Sequence, residues 1–393
     1  MTLETDLIHL ARPRQSPAPV NPPVVRASTV TFNTIQQMRD TKQRRSHGER
    51  MFSYGRRGTP TTYALEDAIS RLEDGEHTQL LPSGVAAINL VFMTLAKPGA
   101  HVVIADSVYQ PVRRIVEGWL TPWGVSVDYF DGSSAHLQSV IRTDTCLIYT
   151  EIPGSLVYEM QDLPALSDVA SRHDIPIVVD NTWASGILMQ PLAYGATVSL
   201  MAGTKYVVGH SDVMLGSVTA NGEVGQQLRE MAVTLGQSIG ADDAYLALRG
   251  LRTLACRMAT HASNAQKLGD WLAYQRHVAH IHQPSRADHP GHQLWQRDFS
   301  GGNGLLTIEF TPDITTQQLD ALVDRLALFA IGSSWGGFES LALPCDIAAA
   351  RSLDNNWSHR GPCLRLHIGL ESPEDLVMDL AQAWSVLSCR AQE

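Results

Sequence analysis

Short apolar runs separated by stretches of helical period dominate residues 63–216. The runs at 101–106, 145–150, 176–180 and 197–201 are rich in Val, Ile and Leu and show little polar alternation, as in Pro176-Ile177-Val178-Val179-Asp180. That is the pattern of strands covered on both faces, and it predicts a mostly parallel α/β sheet. Thr62-Tyr63-Ala64-Leu65-Glu66-Asp67-Ala68-Ile69 reads instead as a helix. A second region begins near Ala244 with one long helix and two strand-like segments, 304–310 and 363–368, an α+β pattern. Before all of this, Pro13-Arg14-Gln15-Ser16-Pro17-Ala18-Pro19-Val20-Asn21-Pro22-Pro23 reads as extended chain. The division expected is an arm over 1–60 that lies on a neighbouring subunit, a large domain over 61–243 and a smaller C-terminal domain over 244–393. No internal repeat is present.

Composition narrows the function class. The chain has 393 residues, 44% of them hydrophobic, enough for a large buried core. Its 30 basic and 40 acidic residues leave a net charge of −10, which disfavours nucleic-acid and membrane-surface partners. No basic-then-apolar leader opens the sequence, and no run of about 18 apolar residues occurs, so a spanning helix is not expected. Cys146, Cys256, Cys345, Cys363 and Cys389 are scattered, with no Cys-x-x-Cys pair. Reduced, ordinary buried thiols in a cytoplasmic protein fit that spacing better than a disulfide framework, and no metal site is expected.

The chemistry gathers where strands end, because open α/β sheets bind ligands beyond the carboxyl ends of their strands. Asp180 follows Ile177-Val178-Val179, and Lys205 follows another apolar strand in Ala202-Gly203-Thr204-Lys205-Tyr206. Ser83-Gly84-Val85 precedes a helix-like run, and a helix start offers free backbone N–H groups to a phosphate. Each feature alone has a plainer meaning: a turn or cap residue, a solvated lysine, an N-cap. Together, in order on one sheet, they match a cofactor with a phosphate, a ring nitrogen and an aldehyde, which is pyridoxal 5'-phosphate (PLP).

The motifs Tyr54-Gly55-Arg56-Arg57-Gly58-Thr59, Asp180-Asn181-Thr182-Trp183-Ala184, Thr204-Lys205-Tyr206-Val207-Val208-Gly209-His210-Ser211-Asp212, Ser334-Trp335-Gly336-Gly337-Phe338-Glu339-Ser340 and Leu364-Arg365-Leu366-His367-Ile368-Gly369-Leu370-Glu371 stand in this order. Through them the chain resembles the Cys/Met-metabolism family of PLP enzymes nearly end to end, and within it the bacterial β-lyase branch. The resemblance implies an aspartate-aminotransferase-like fold of type I. It also implies that Lys205 holds PLP as a Schiff base and then moves the Cα proton. Asp180 would pair with the ring nitrogen, and Tyr109 would stack on the ring and take part in proton transfer. Gly84, Val85 and Thr204 would bind the phosphate, with Tyr54 and Arg56 reaching it from a neighbouring subunit. Ser334, Trp335 and Arg365 would bind the substrate, Arg365 by a bidentate grip on its α-carboxylate.

The implied reaction is α,β-elimination from L-cystathionine or a related cysteine thioether, giving a thiol such as homocysteine, pyruvate and ammonia. It belongs to methionine biosynthesis, in a homotetramer built from dimers with shared sites. A γ-acting synthase or lyase is the nearest rival, and a non-catalytic PLP-fold module is a rival of another class. Ser53, Val233 and Ser333 stand where the branch commonly carries aromatic residues. Those changes either widen the pocket for another thioether or are drift at tolerant positions.

Overall fold

The computed structural model describes residues 2–13, 16–353 and 357–388. Arg14, Gln15 and Cys389 lie outside the described residues. Seven strands form the larger sheet: β1 (His77–Leu81), β2 (His101–Ala105), β3 (Ser126–Phe130), β4 (Thr145–Glu151), β5 (Ile177–Asp180), β6 (Val198–Met201) and β7 (Gly216–Ala220). Their order is β1-β7-β6-β5-β4-β2-β3, and β7 alone runs against its neighbours. The other six therefore share one direction, and their carboxyl ends open on one edge. The chain steps from β2 to β3 on one side and then crosses to β4 on the other. That switch opens a crevice between β2 and β4, the place where doubly wound sheets bind ligands.

Helices are seated on this sheet by local chemistry. Pro60–Glu73 starts at a capping box in which Thr59 and Thr62 satisfy each other's backbone, with Pro60 at the first helical position. Its Leu65, Ile69 and Leu72 are completely buried, each stabilising the fold by about 2 kcal/mol. Phe92, from the helix Gly84–Leu95, stacks on Tyr149 of β4 with ring centroids 5.2 Å apart.

A second, five-stranded sheet consists of β8 (Val278–His282), β9 (Leu305–Phe310), β10 (Ala330–Ile331), β11 (Leu341–Cys345) and β12 (Cys363–His367), in the order β10-β11-β12-β9-β8. All its pairings except β10–β11 are antiparallel. Leu306, Ile308, Leu364 and Leu366 from this sheet pack with Leu268, Leu272, Leu376 and Leu380 from helices into a separate core. The two layers are stitched by polar contacts: Gly304 N–H donates to the Tyr206 hydroxyl at 3.0 Å, and Asn303 Nδ2 to the Trp183 carbonyl at 2.9 Å.

The structure departs from the sequence reading in several places. The N-terminal segment is extended only in part, because helices occupy Leu3–His9 and Ile35–Ser46. The second is capped by Thr34 and built from straight-chain polar residues that favour helix without an apolar stripe. Between these helices, Arg26 pairs with Asp242, Val25 N–H donates to the Thr61 hydroxyl, and Thr29 bridges Tyr54, contacts compatible with an arm that also lies on a neighbouring subunit. The single long helix expected near Ala244 is two, Ala241–Leu251 and Leu254–Leu272, broken where Thr253 leaves helical geometry (φ −111°, ψ 7°). The smaller sheet has five strands rather than two. Cys256 is exposed, and Cys146 and Cys345 are only partly covered, so among the described residues only Cys363 is a buried thiol. Among the described residues, no helix is long and apolar enough to cross a membrane.

Candidate active site

Five strand ends converge on the open edge. At β5, Asp180 is 5% exposed and accepts the Thr182 N–H at 3.0 Å and the Thr182 hydroxyl at 2.5 Å on one oxygen. Its other oxygen faces the buried Tyr149 hydroxyl at 3.5 Å. Burial pushes the Asp180 carboxyl up, and the Thr182 donors pull it back. The Thr182 hydroxyl also accepts the Ala202 N–H at 2.9 Å, which fixes the end of β5 to the turn after β6.

That turn carries Lys205, whose N–H donates to Ala202 O at 3.1 Å. Its Nζ donates to Ser334 Oγ at 2.8 Å and lies 5.2 Å from the centre of the Trp335 ring. Burial, aided by the Arg365 guanidinium, lowers its ammonium to about 8, against the pull of Asp180. The amine therefore reaches its neutral, nucleophilic form near physiological pH.

Beyond β1, Ser83 caps the helix Gly84–Leu95 by accepting the Ala86 N–H at 3.1 Å. The Gly84 and Val85 N–H groups are left without intrahelical acceptors. A Cβ on Gly84 would meet the Cβ of Ala202 at 2.6 Å, so only glycine lets this helix start approach the Lys205 turn. Thr204 is engaged elsewhere: its hydroxyl donates to Leu215 O at 3.1 Å and accepts the Leu215 N–H at 2.8 Å.

The smaller sheet supplies the opposite wall. Arg365 of β12 is 8% exposed and donates to the carbonyls of Ser333 at 3.0 Å and Ser334 at 3.1 Å. Its Nε is buried with no partner among the described residues. Gly336 (φ +87°) sits so close that a Cβ there would lie 2.9 Å from the Lys205 carbonyl carbon. Trp335 packs on the fully buried Tyr206, centroids 5.4 Å apart.

The structure thus brings Lys205, Ser334, Trp335 and Arg365 together, and places Asp180, Gly84 and Val85 on the same edge. Tyr109, after β2, is 44% exposed and donates its backbone N–H to Glu151 at 2.6 Å. Tyr54 and Arg56 are not gathered with these groups. Arg56 donates to Val233 O at 3.1 Å, in a recess of about 570 Å³ that Arg45, Arg57 and Arg229 also line. This recess contains neither Lys205 nor Asp180.

Sequence reasoning passed over Thr182, Tyr149 and Glu151 as site residues. Glu151 had a signal of the same kind as Asp180, a carboxylate closing a buried strand.

An amine, a buried carboxyl, free N–H groups at a helix start and an unsatisfied guanidinium nitrogen fit PLP with an amino-acid substrate. Comparison with known proteins agrees. The family model for Cys/Met metabolism PLP-dependent enzymes matches residues 4–385. A Bordetella avium protein named cystathionine beta-lyase is 45% identical, with 97% of each chain covered. A Wolbachia pipientis protein named L-alanine/L-glutamate racemase is 36% identical over 94% of this chain and 93% of its own. The solved cystathionine gamma-lyase of Lactobacillus plantarum, complexed with L-serine, superposes with a TM-score of 0.89 at 27% identity, covering 99% and 100% of the two chains.

Proposed function

The chain belongs to the Cys/Met metabolism family of PLP-dependent enzymes, and on that footing we propose that it is a carbon–sulfur β-lyase acting on L-cystathionine. The observation that carries the reading is one edge: a lowered lysine amine, a buried aspartate and a helix start, closed by a wall bearing Arg365. When bound, PLP supplies the electron sink that makes the Cα proton removable.

The protein's own groups do the rest. Gly84 and Val85 N–H groups would hold the phosphate, with Thr204 beside them. Asp180, hydrogen-bonded by Thr182, would face the ring nitrogen, and Tyr109 would cover the ring. Arg365 grips the substrate α-carboxylate in two parallel bonds, turning the Cα–H bond across the ring plane. Lys205 Nζ takes that proton, and its contact with Ser334 aims the amine at Cα. The Cβ–S bond then breaks, and sulfur leaves as the thiolate of homocysteine. The three-carbon fragment takes up water and yields pyruvate and ammonia. Tyr54 and Arg56 act in trans: Tyr54 is 45% exposed and Arg56 lies in a recess without Lys205, so both are available to a second copy. A homotetramer made of such dimers, in the cytoplasm and in methionine biosynthesis, completes the proposal.

A second reading, a β-lyase for another cysteine thioether, draws on Arg45, whose Nη1 donates to Ser53 Oγ at 3.2 Å. A guanidinium there, in place of an aromatic face, changes what the distal end of a substrate meets. The γ-lyase and racemase names of two relatives mark the outcomes to separate. The test is product identification with L-cystathionine and a panel of S-alkylcysteines. Pyruvate and homocysteine are expected; 2-oxobutyrate from cystathionine, or D-amino acid without oxoacid, would refute β-elimination. Lys205→Ala should abolish turnover, a loss of about 10³-fold or more.

A further inference from the structure

Glu151 closes β4, directly beside Asp180 in the parallel ladder, so the two carboxyl groups rise from the same face of the sheet. No role above uses it. Its Oε2 accepts the Tyr109 N–H at 2.6 Å, joining the ends of β4 and β2 across the crevice between them. Gln161 ties the same two segments together: its Nε2 donates to Glu151 O at 2.9 Å and Ser107 Oγ at 3.3 Å, and its Oε1 accepts from Thr150 at 2.6 Å. Tyr109 itself is 44% exposed, so packing holds the ring only weakly and its direction is set by its backbone.

We propose that Glu151 is a positioning residue that fixes Tyr109 over the cofactor ring by holding the Tyr109 amide. This rests on the reading that PLP occupies the strand-end site. Glu151 does this work as a neutral carboxyl. Asp180 has two donors on one oxygen, from Thr182, whereas Glu151 receives the single Tyr109 amide. Two adjacent carboxyls do not both ionise freely, and the one with fewer donors keeps the proton. The surrounding groups agree: Asp180 and Glu159 add negative charge, Tyr149 and Tyr158 are neutral phenols, and Arg351 is spent on Glu159 at 2.7 Å. Burial first, then Asp180, holds the Glu151 carboxyl well above the usual carboxylate range.

Two substitutions in the PLP-loaded enzyme test this. Glu151→Gln keeps a neutral acceptor at the same reach, whereas Glu151→Asp keeps the acid and draws it back by one methylene. The readouts are the visible circular dichroism of bound PLP and the PLP dissociation constant by equilibrium dialysis, with kcat/KM alongside. E151Q should match the parent in dichroism and within about two-fold in affinity. E151D should lose much of the dichroism and bind PLP about five-fold more weakly, the effect of one lost hydrogen bond. An E151D enzyme with unchanged dichroism and affinity, or an E151Q enzyme as impaired as E151D, would overturn the inference while leaving PLP in the site. A parent protein that bound no PLP would instead remove the cofactor reading on which it stands.

Discussion

Replacing Glu73 by Gln should raise the thermal midpoint above neutral pH and leave it nearly unchanged in acid. Glu73 ends the helix Pro60–Glu73 with no exposed surface, behind the edge that carries Asp180. It accepts Asn181 Nδ2 at 3.0 Å and a short bond from Ser199 Oγ. Burial lifts its carboxyl from an ordinary 4.5 to about 7, because three donor contacts from two neutral groups do not replace water around a charge. The sign follows from proton linkage. The folded state binds the proton more tightly than the unfolded state, so stability falls as pH rises from 4.5 to about 7, and the full penalty persists above that. The penalty amounts to about 3 kcal/mol, or about 4 °C of midpoint for a chain of this size. Gln removes the charge and keeps the contacts, its oxygen accepting from Asn181 and its amide donating to Ser199. The assay is differential scanning calorimetry of both proteins, saturated with PLP, at pH 4.5 and pH 8. A Glu73→Gln midpoint at pH 8 equal to or below that of the parent would refute the penalty of burying a charged Glu73.

Other predictions follow from the site geometry. PLP uptake by the cofactor-free protein should accelerate as pH rises through about 8, where the Lys205 amine becomes neutral; a flat stopped-flow profile from pH 6.5 to 9 would contradict its lowered basicity. Arg365→Lys should cut kcat/KM by about 10- to 100-fold through loss of the second carboxylate bond, with PLP affinity unchanged. Gly336→Ala should destabilise the fold by about 1–3 kcal/mol, because the position combines positive φ with contact on the Lys205 backbone; an unchanged urea midpoint would refute that contact.

Strands buried on both faces were legible in the sequence because nothing but apolar periodicity is needed to find them: β2 and β5 are covered along their whole length. The strands that escaped carry polar or proline residues. Ser126 and Asp128 interrupt β3 at the sheet edge, Pro344 lies in β11, and β8 alternates toward His280 and His282. Strand-end logic singled out Asp180 and Lys205, and ending β4 at Thr150 hid Glu151 by one residue. Glu73 had no local signal at all. Its partners Asn181 and Ser199 lie 108 and 126 positions away, and only the folded sheet brings them to it.

The seating of Gly336 on the Lys205 backbone has a mechanical result. With only hydrogen between the two main chains, the arginine-bearing wall cannot move inward without pressing on the turn that carries the reactive amine. Engineering for bulkier thioethers should therefore leave that loop intact and work at positions 53 and 233.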